Sequence, residues 1–467
     1  MLFVALITAF TAFAQIPLEL QNLSYGIYPT SATYNTARFN YNKRFNVFPE
    51  AIFVPTTEQE IQFVFTTLKN YNLPFSIRSG GHCYEPGSLS SSFIISLAGF
   101  STITPDVSTE TVQIGAGVLL TNLTQAVGAL NYAVPVGTCP TNCISGFTLG
   151  GGLGLLQRMY GVACDSVLSI RLLTASGDII DVTAQSNPDL FWALRGGGLG
   201  SFGIVLGFTY KMYYVPTVSF YSLSFNWDPK ILGSIFKAWQ KWALTLPNEI
   251  STICDMSLKE GNTTFTIYGL KVGTEPFTEW ESAFASFNPT VNIYQGSYLG
   301  STQYWSSQSS LPFNKVKSKI MMQPLSSKVI PLIAKHLQKL SHEQPSIEVL
   351  FEFEAFGGVI PQSTSSFFPK NAFGWWYEEV NWSEQQQTGP LLSDTRKFYS
   401  KISPYMSIYS YPNTADYDLG PYYLNAYYGS NAYRLIQVKN AVDPGNVFNW
   451  AQGIPLSLPV PGALIAQ

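Results

Sequence analysis

The sequence predicts an α+β chain folded as two lobes. Three observations carry that expectation. Between residues 51 and 78 a short apolar strand, a helix and a second strand follow one another. Residues Val167 to Val182 alternate as a hairpin. Beyond Val215-Pro216 the pattern changes to aromatic-rich alternating strands mixed with helices, up to about residue 400. A chain of 467 residues is long enough for two large domains, or one bilobal enzyme with a sizeable core.

Taken in order, the elements read as follows. Met1 to Ala14 is apolar, too short to span a bilayer, and ends in Ala12-Phe13-Ala14, a cleavage pattern before Gln15. Residues 1–14 are therefore expected to be a signal peptide, although no Lys or Arg precedes the apolar run. Secretion agrees with four sequons, at Asn22, Asn122, Asn262 and Asn381, each a candidate glycan site in a surface loop. Ala51-Ile52-Phe53-Val54 is a strand ended by Pro55. Thr57 and Glu60 form a capping box, and Ile61, Phe65 and Leu68 continue at helical spacing. Phe75 to Arg78 is the next strand. The later hairpin turns at Ser176-Gly177-Asp178. Asn187-Pro188 starts a helix, with a capping side chain and proline in the first turn. In the second region Leu232 to Leu244 reads as a helix and Thr264 to Tyr268 as a strand. Ala334 to His342 reads as a solvated helix. The last ten residues look like a loose end.

Composition narrows the function. Hydrophobic residues make up 46% and charged residues 12%, with net charge −3, so no clustered basic face for nucleic acid is expected. No later apolar run is long enough for a membrane helix. Aromatics reach 15%; most belong in the core, and some suit a platform for sugar rings or flat organic substrates. Five cysteines are too few for a disulfide scaffold. Hydrolase chemistry is disfavoured, because there is no G-x-S-x-G elbow. No metal site is expected, because His336 and His342 lack H-x-x-x-H spacing. Gly198 to Gly203 matches G-x-G-x-x-G. It precedes the strand-like Ile204 to Tyr210 instead of opening a helix, so dinucleotide binding of that type is rejected.

The most informative residue is His82, one of three histidines, in Arg78-Ser79-Gly80-Gly81-His82-Cys83-Tyr84. Glycine lets backbone approach a flat ligand with no Cβ in the way. A second glycine-rich segment holds Gly137-Thr138-Cys139-Pro140-Thr141 and then Gly146 to Gly154. Asp189 to Gly198 with Ser201-Phe202-Gly203-Ile204-Val205, and Tyr427 to Phe448, complete an ordered set of four.

These motifs, spanning roughly residues 45 to 455, resemble the berberine-bridge-enzyme-like flavoproteins of the vanillyl-alcohol-oxidase (PCMH-type) FAD-binding fold. The resemblance implies an FAD-binding domain of two α/β subdomains over 15–215. A substrate domain with an antiparallel sheet backed by helices would follow over 216–404, and a segment over 405–467 would return to the first domain. It implies FAD bonded through its 8α carbon to His82 and through C6 to Cys139. Arg78, Ser79, Gly80, Gly81, Thr138, Thr141, Asn142, Gly146, Gly151, Gly152, Gly154, Gly203, Ile204 and Asn446 would complete the cofactor site.

This chain departs from the family pattern after Thr141. Asn142 stands where valine permits oxygen and leucine hinders it, and Cys143 replaces a glycine. That leaves Cys139–Cys143 and Cys143–Cys83 open as rival bridges. In sugar-oxidising relatives a Y-x-N tyrosine takes the hydroxyl proton, supported by a carboxylate before a G-G pair. Here these correspond to Tyr411-Pro412-Asn413, and to Glu352 and Glu354 ahead of Gly357-Gly358. Spaced two apart, the glutamates share one face of a strand. Thr414 stands where many relatives carry another tyrosine, so substrate contacts are expected to differ.

The reading is a secreted, monomeric oxidase. It would take a hydride from an alcohol carbon, foremost C1 of an oligosaccharide, and pass the electrons to molecular oxygen. Small aromatic alcohols or alkaloid-like metabolites, and a non-catalytic carbohydrate-binding flavoprotein, are the alternatives.

Overall fold

The first strands form in the order the sequence suggests. The computed structural model describes residues 16–458 except 307, 308 and 327; the expected signal peptide lies outside the described residues. Strands β1 (Gly26–Ile27), β2 (Ala51–Phe53), β3 (Phe75–Arg78) and β4 (Phe93–Ser96) make a sheet ordered β1-β2-β4-β3. β4 runs parallel to both β2 and β3. A parallel pair needs a crossover, and the helix Glu58–Asn70 supplies it. That helix opens with the full capping box of Thr57 and Glu60, and buries Ile61, Val64, Phe65 and Leu68.

A second, antiparallel sheet follows. Its strands are β5 (Ile103–Asp106), β6 (Thr111–Gly115), β8 (Val167–Leu173), β9 (Ile179–Thr183) and β10 (Ile204–Lys211), ordered β5-β6-β10-β8-β9; the short strands β7 (Tyr132–Ala133) and β11 (Tyr213–Tyr214) pair beside it. β8 and β9 are the expected hairpin. The helix Pro188–Leu194 also forms where expected, but not by side-chain capping. Asn187 adopts a left-handed conformation (φ 61°) and makes no cap hydrogen bond.

From residue 218 the chain builds one seven-stranded antiparallel sheet. It comprises β12 (Val218–Phe225), β13 (Ile253–Lys259), β14 (Asn262–Val272), β15 (Thr290–Gly296), β16 (Phe313–Met321), β17 (Glu348–Ala355) and β18 (Gly374–Trp382), in the order β15-β12-β14-β13-β17-β18-β16. Successive side chains alternate between its faces. One face, with Met256, Phe351, Phe353 and Trp376, packs under the helices Leu232–Ala243, Val329–Glu343 and Thr388–Ile402. The other meets the first domain: Val218, Phe220 and Ile253 pack with Ala133, Leu155 and Leu156, and Ile320 and Trp375 with Leu153 and Val162.

Two surface expectations are corrected here. His336 is buried, lying flat on Phe398 with ring centroids 3.9 Å apart, so its helix is not solvated all round. Asn381 is only 4% exposed within β18, so its sequon is no surface loop; Asn22, Asn122 and Asn262 are exposed.

After the helix Thr388–Ile402 the chain crosses back. The helices Tyr423–Tyr428 and Ala432–Val442 join the core of the first domain, and Phe448 stacks on Phe65. Among the described residues no helix is long and apolar enough to cross a membrane.

Candidate active site

The loop leaving β3 and the segment from Asn142 onward form the walls of an open cleft. Ser79, Gly80, Gly81 and His82 line one side; Asn142, Gly146 and Gly203 line others, and Asn413 and Trp450 arrive from the returning tail. Backbone dominates this lining. A Cβ on Gly146 would meet no atom within 4 Å and would project into the open space, whereas one on Gly80 would strike Cys143 Sγ at 2.8 Å.

His82 and Cys139 come together although 57 residues separate them: Sγ lies 3.5 Å from Nε2. Burial pushes the His82 imidazole down to about 4, so it is neutral and nucleophilic at ordinary pH. Tyr41 lies flat on it, centroids 4.0 Å apart at 13°. Thr141 Oγ1 is 3.6 Å from Cys139 Sγ. Neither rival disulfide forms, and Cys143 Sγ donates to the Gly117 carbonyl at 3.3 Å. Arg78 is buried beneath the loop, with Nη1 unpartnered and its pKa lowered to about 10 by burial.

Other expected cofactor residues act at one remove. Thr138, Thr141, Gly151, Gly152, Gly154, Ile204 and Asn446 do not line the cleft. Ile204 is a fully buried core residue of β10. Gly154 packs against the Val136 carbonyl, which leaves no room for a side chain. Gly152, at φ +84°, turns its N–H onto Tyr411.

Tyr411 is buried, and its oxygen receives two donors: the Gly152 N–H at 3.0 Å and Asn413 Nδ2 at 2.9 Å. Burial raises the phenol's pKa, while these two hydrogen bonds pull it back toward ionisation. Asn413 also donates to the Phe147 carbonyl at 2.8 Å, which fixes its amide. Gly150 must be glycine, because a Cβ there would overlap the Asn413 amide. Thr414 is buried, donating to the Tyr411 carbonyl at 2.8 Å, so it faces away from the cleft.

The two expected glutamates share one face of β17, and both are buried. Their partners differ from expectation. Glu354 accepts from Gln157 Nε2 and Trp375 Nε1, each at 2.7 Å, and does not reach Tyr411. Trp375 stands between them, its ring 5.2 Å from that of Tyr411. Burial holds Glu354 up at about 7. Glu352 lies directly opposite Asp255 on one side and Tyr377 on the other. It accepts from Tyr268 Oη at 3.2 Å. Burial raises both Glu352 and Asp255 well above the carboxylate range; the Asp255 charge raises Glu352 further, and the Glu354 charge raises Asp255. Sequence reasoning missed Asp255, Tyr268, Tyr377 and Glu379, since only the strand register brings them to this face.

Two sheets of an α/β first domain, a seven-stranded second domain and a backbone-lined cleft with a histidine and a thiol at one end define an FAD-linked oxidoreductase. The FAD binding domain family model matches residues 49–183, and the berberine and berberine-like model matches residues 410–455. The uncharacterised FAD-linked oxidoreductase YgaK of Bacillus subtilis is 29% identical over 90% of this chain and 94% of its own. The reticuline oxidase of Eschscholzia californica is 28% identical, over 87% and 83% respectively. The wild-type structure of Physcomitrella patens BBE-like 1 superposes with a TM-score of 0.82 at 27% identity, covering 92% of this chain and 97% of that one. The chain is an FAD-dependent oxidoreductase similar to the berberine-bridge-enzyme-like proteins. The residues present fit the flavin: a glycine-walled cleft, an unpartnered buried guanidinium, and a neutral imidazole beside a thiol.

Proposed function

We propose that this chain is a secreted oxidase carrying FAD covalently through His82 and Cys139. It removes a hydride from an alcohol carbon, most readily C1 of an oligosaccharide, and dioxygen takes up the electrons. Ser79 to His82, Asn142, Gly146 and Gly203 would hold the flavin, which when bound supplies the two-electron acceptor. The observation that carries the reading is the pair of N–H donors on the Tyr411 oxygen. They stabilise negative charge at Oη, against the burial that raises the phenol's pKa, and it is the phenolate, its own proton already lost, that would take the substrate hydroxyl proton. Asn413, which lines the cleft, orients that oxygen. Glu354 acts as a positioning residue, holding Trp375 and Gln157 in place around the tyrosine.

A second reading has its own support. Asp255, Glu352, Glu354 and Glu379 share one sheet face with Tyr268, Trp375 and Tyr377. Four carboxyls among aromatic rings suit a flat, alkaloid-like substrate carrying positive charge.

The test has two parts. Intact mass after denaturation should show one FAD retained by the wild-type chain. A single His82→Ala or Cys139→Ala substitution should leave one bond, and the double substitution should release the flavin. Anaerobic addition of cello- or malto-oligosaccharides should then bleach the flavin absorbance. Bleaching by aromatic amino-alcohols and not by sugars would select the second reading; bleaching by neither class would overturn both.

A further inference from the structure

Glu379 is one of the carboxyls of this face that proton removal at Tyr411 does not employ. It lies on β18 two residues beyond Tyr377, so the two share a face of the sheet. It is buried, at 8% exposure. Tyr41 Oη donates to its Oε1 at 3.4 Å, and Tyr84 and Asn381 also hydrogen-bond to the carboxyl. Tyr41 is the ring stacked on His82, and Tyr84 stands edge-on to both rings, its centroid 6.3 Å from that of His82 and 6.4 Å from that of Tyr41. A carboxyl of the second domain thus reaches the tether histidine of the first through two phenols.

The bond to His82 creates a need for such a group. Attachment breaks one C–H bond of the flavin 8α-methyl and forms one C–N bond to the imidazole. The methyl proton leaves. The C–H electron pair stays with the flavin, which is thereby reduced by two electrons; dioxygen reoxidises it and becomes hydrogen peroxide. His82 enters neutral, and once alkylated it cannot also keep the methyl proton. We infer that Glu379 is the acceptor of that proton, through the phenols of Tyr41 and Tyr84 beside His82. A phenol passes its own proton to the carboxylate as it receives the one from the methyl group. The inference rests on the covalent reading above.

Glu379 suits the task in its acidity as well as its place. Burial raises it to about 7, against hydrogen bonds from Asn381, Tyr41 and Tyr84 that lower it. It is therefore partly ionised, and able to accept, at neutral pH. The other titratable groups bearing on this corner are Glu348 and Glu352 of β17, Tyr377 of its own strand, and Cys139 and His82 from the first domain.

The experiment uses the full-length chain produced in flavin-starved cells and mixed with FAD across about pH 5 to 9. Samples are denatured at intervals, and intact mass gives the tethered fraction. Flavin retained on gel filtration gives reversible binding in parallel. The wild-type rate should rise with pH through neutrality. Glu379→Gln should attach flavin about a hundredfold more slowly, with a flat pH profile and unchanged reversible binding, and Glu379→Asp should recover part of the rate. Wild-type rate and profile in Glu379→Gln would overturn the inference alone. If Glu379→Gln fails to fold, Tyr41→Phe with Tyr84→Phe decides: slow attachment supports the relay, and wild-type attachment overturns it. A wild-type chain that never gains the mass overturns the covalent reading and this inference with it.

Discussion

At Tyr411 a single oxygen collects two N–H donors, and nothing in the fold depends on its proton. Tyr411→Phe should slow flavin reduction by substrate about 10²–10⁴-fold, the range for losing a positioned base, and should cost about 1–3 kcal/mol of stability by leaving the buried Gly152 N–H without its acceptor. Anaerobic stopped-flow reduction checks this, and an unchanged rate would remove Tyr411 from the chemistry. His82 stood out in the sequence through its flanking glycines, whereas Cys139, Tyr411 and Asn413 were picked out by the resemblance of their short motifs to the family pattern. Glu352 and Glu354 were legible as face-sharing neighbours. Their roles were not, because Trp375 is a partner across two strands and leaves no mark near residue 354. Asp255, Tyr268 and Glu379 were invisible for the same reason. An acidic or phenolic residue in an alternating strand reads as solvent-facing until register shows that the face is covered.

On strand β18 the consecutive residues Glu378 and Glu379 point to opposite faces, and both are buried. Glu378 lies under the helices, opposite Lys317 in register, with neither carboxyl oxygen hydrogen-bonded. Burial raises it from an ordinary 4.5 to about 8, against the pull of Lys317 and with help from Asp394. The folded state thus prefers the protonated form. Its stabilising effect is complete below about 4.5 and is lost as pH rises toward 8. Thermal melts of the wild type should fall across that window. Glu378→Gln should flatten the slope and stabilise the protein at pH 8 by about 1–3 kcal/mol. Glu352, Glu354, Glu379 and Asp255 shift in the same direction, so some slope will persist in the variant. An unaltered slope would show that Glu378 finds solvent. The strands and helices themselves were largely legible, since apolar alternation and capping are local. The order β15-β12-β14-β13-β17-β18-β16 was not, because pairing between strands distant in sequence depends on which faces must be buried together.

Over the whole molecule, one ion network joins the parts. Lys315 of β16 binds Glu85 of the first domain at 2.6 Å and Asp416 of the tail at 2.7 Å; Lys317 binds Asp416 at 2.8 Å and Asp418 at 2.5 Å. Arg44 and Arg396 close its two ends. Lys315 and Asp416 are buried, and Lys315→Met would leave Glu85 with Arg44 and Asp416 with Lys317 as their remaining cations. It should destabilise by less than the ~3–5 kcal/mol of a fully stranded buried charge, and should expose the segment carrying Tyr411 and Asn413 to proteolysis earlier than the domain cores. Equal protease resistance would deny the network that role. The path of the backbone adds a temporal consequence. His82 and Asn142 leave the ribosome hundreds of residues before Asn413 and Trp450, the last walls of the same cleft. A nascent chain therefore offers its glycine-lined floor long before it has a lid, and the pigment can be enclosed only when translation has passed the tail. Yellow colour in a preparation would then mark molecules synthesised through the helix Ala432–Val442 and on to Trp450, and products stalled before it would stay pale.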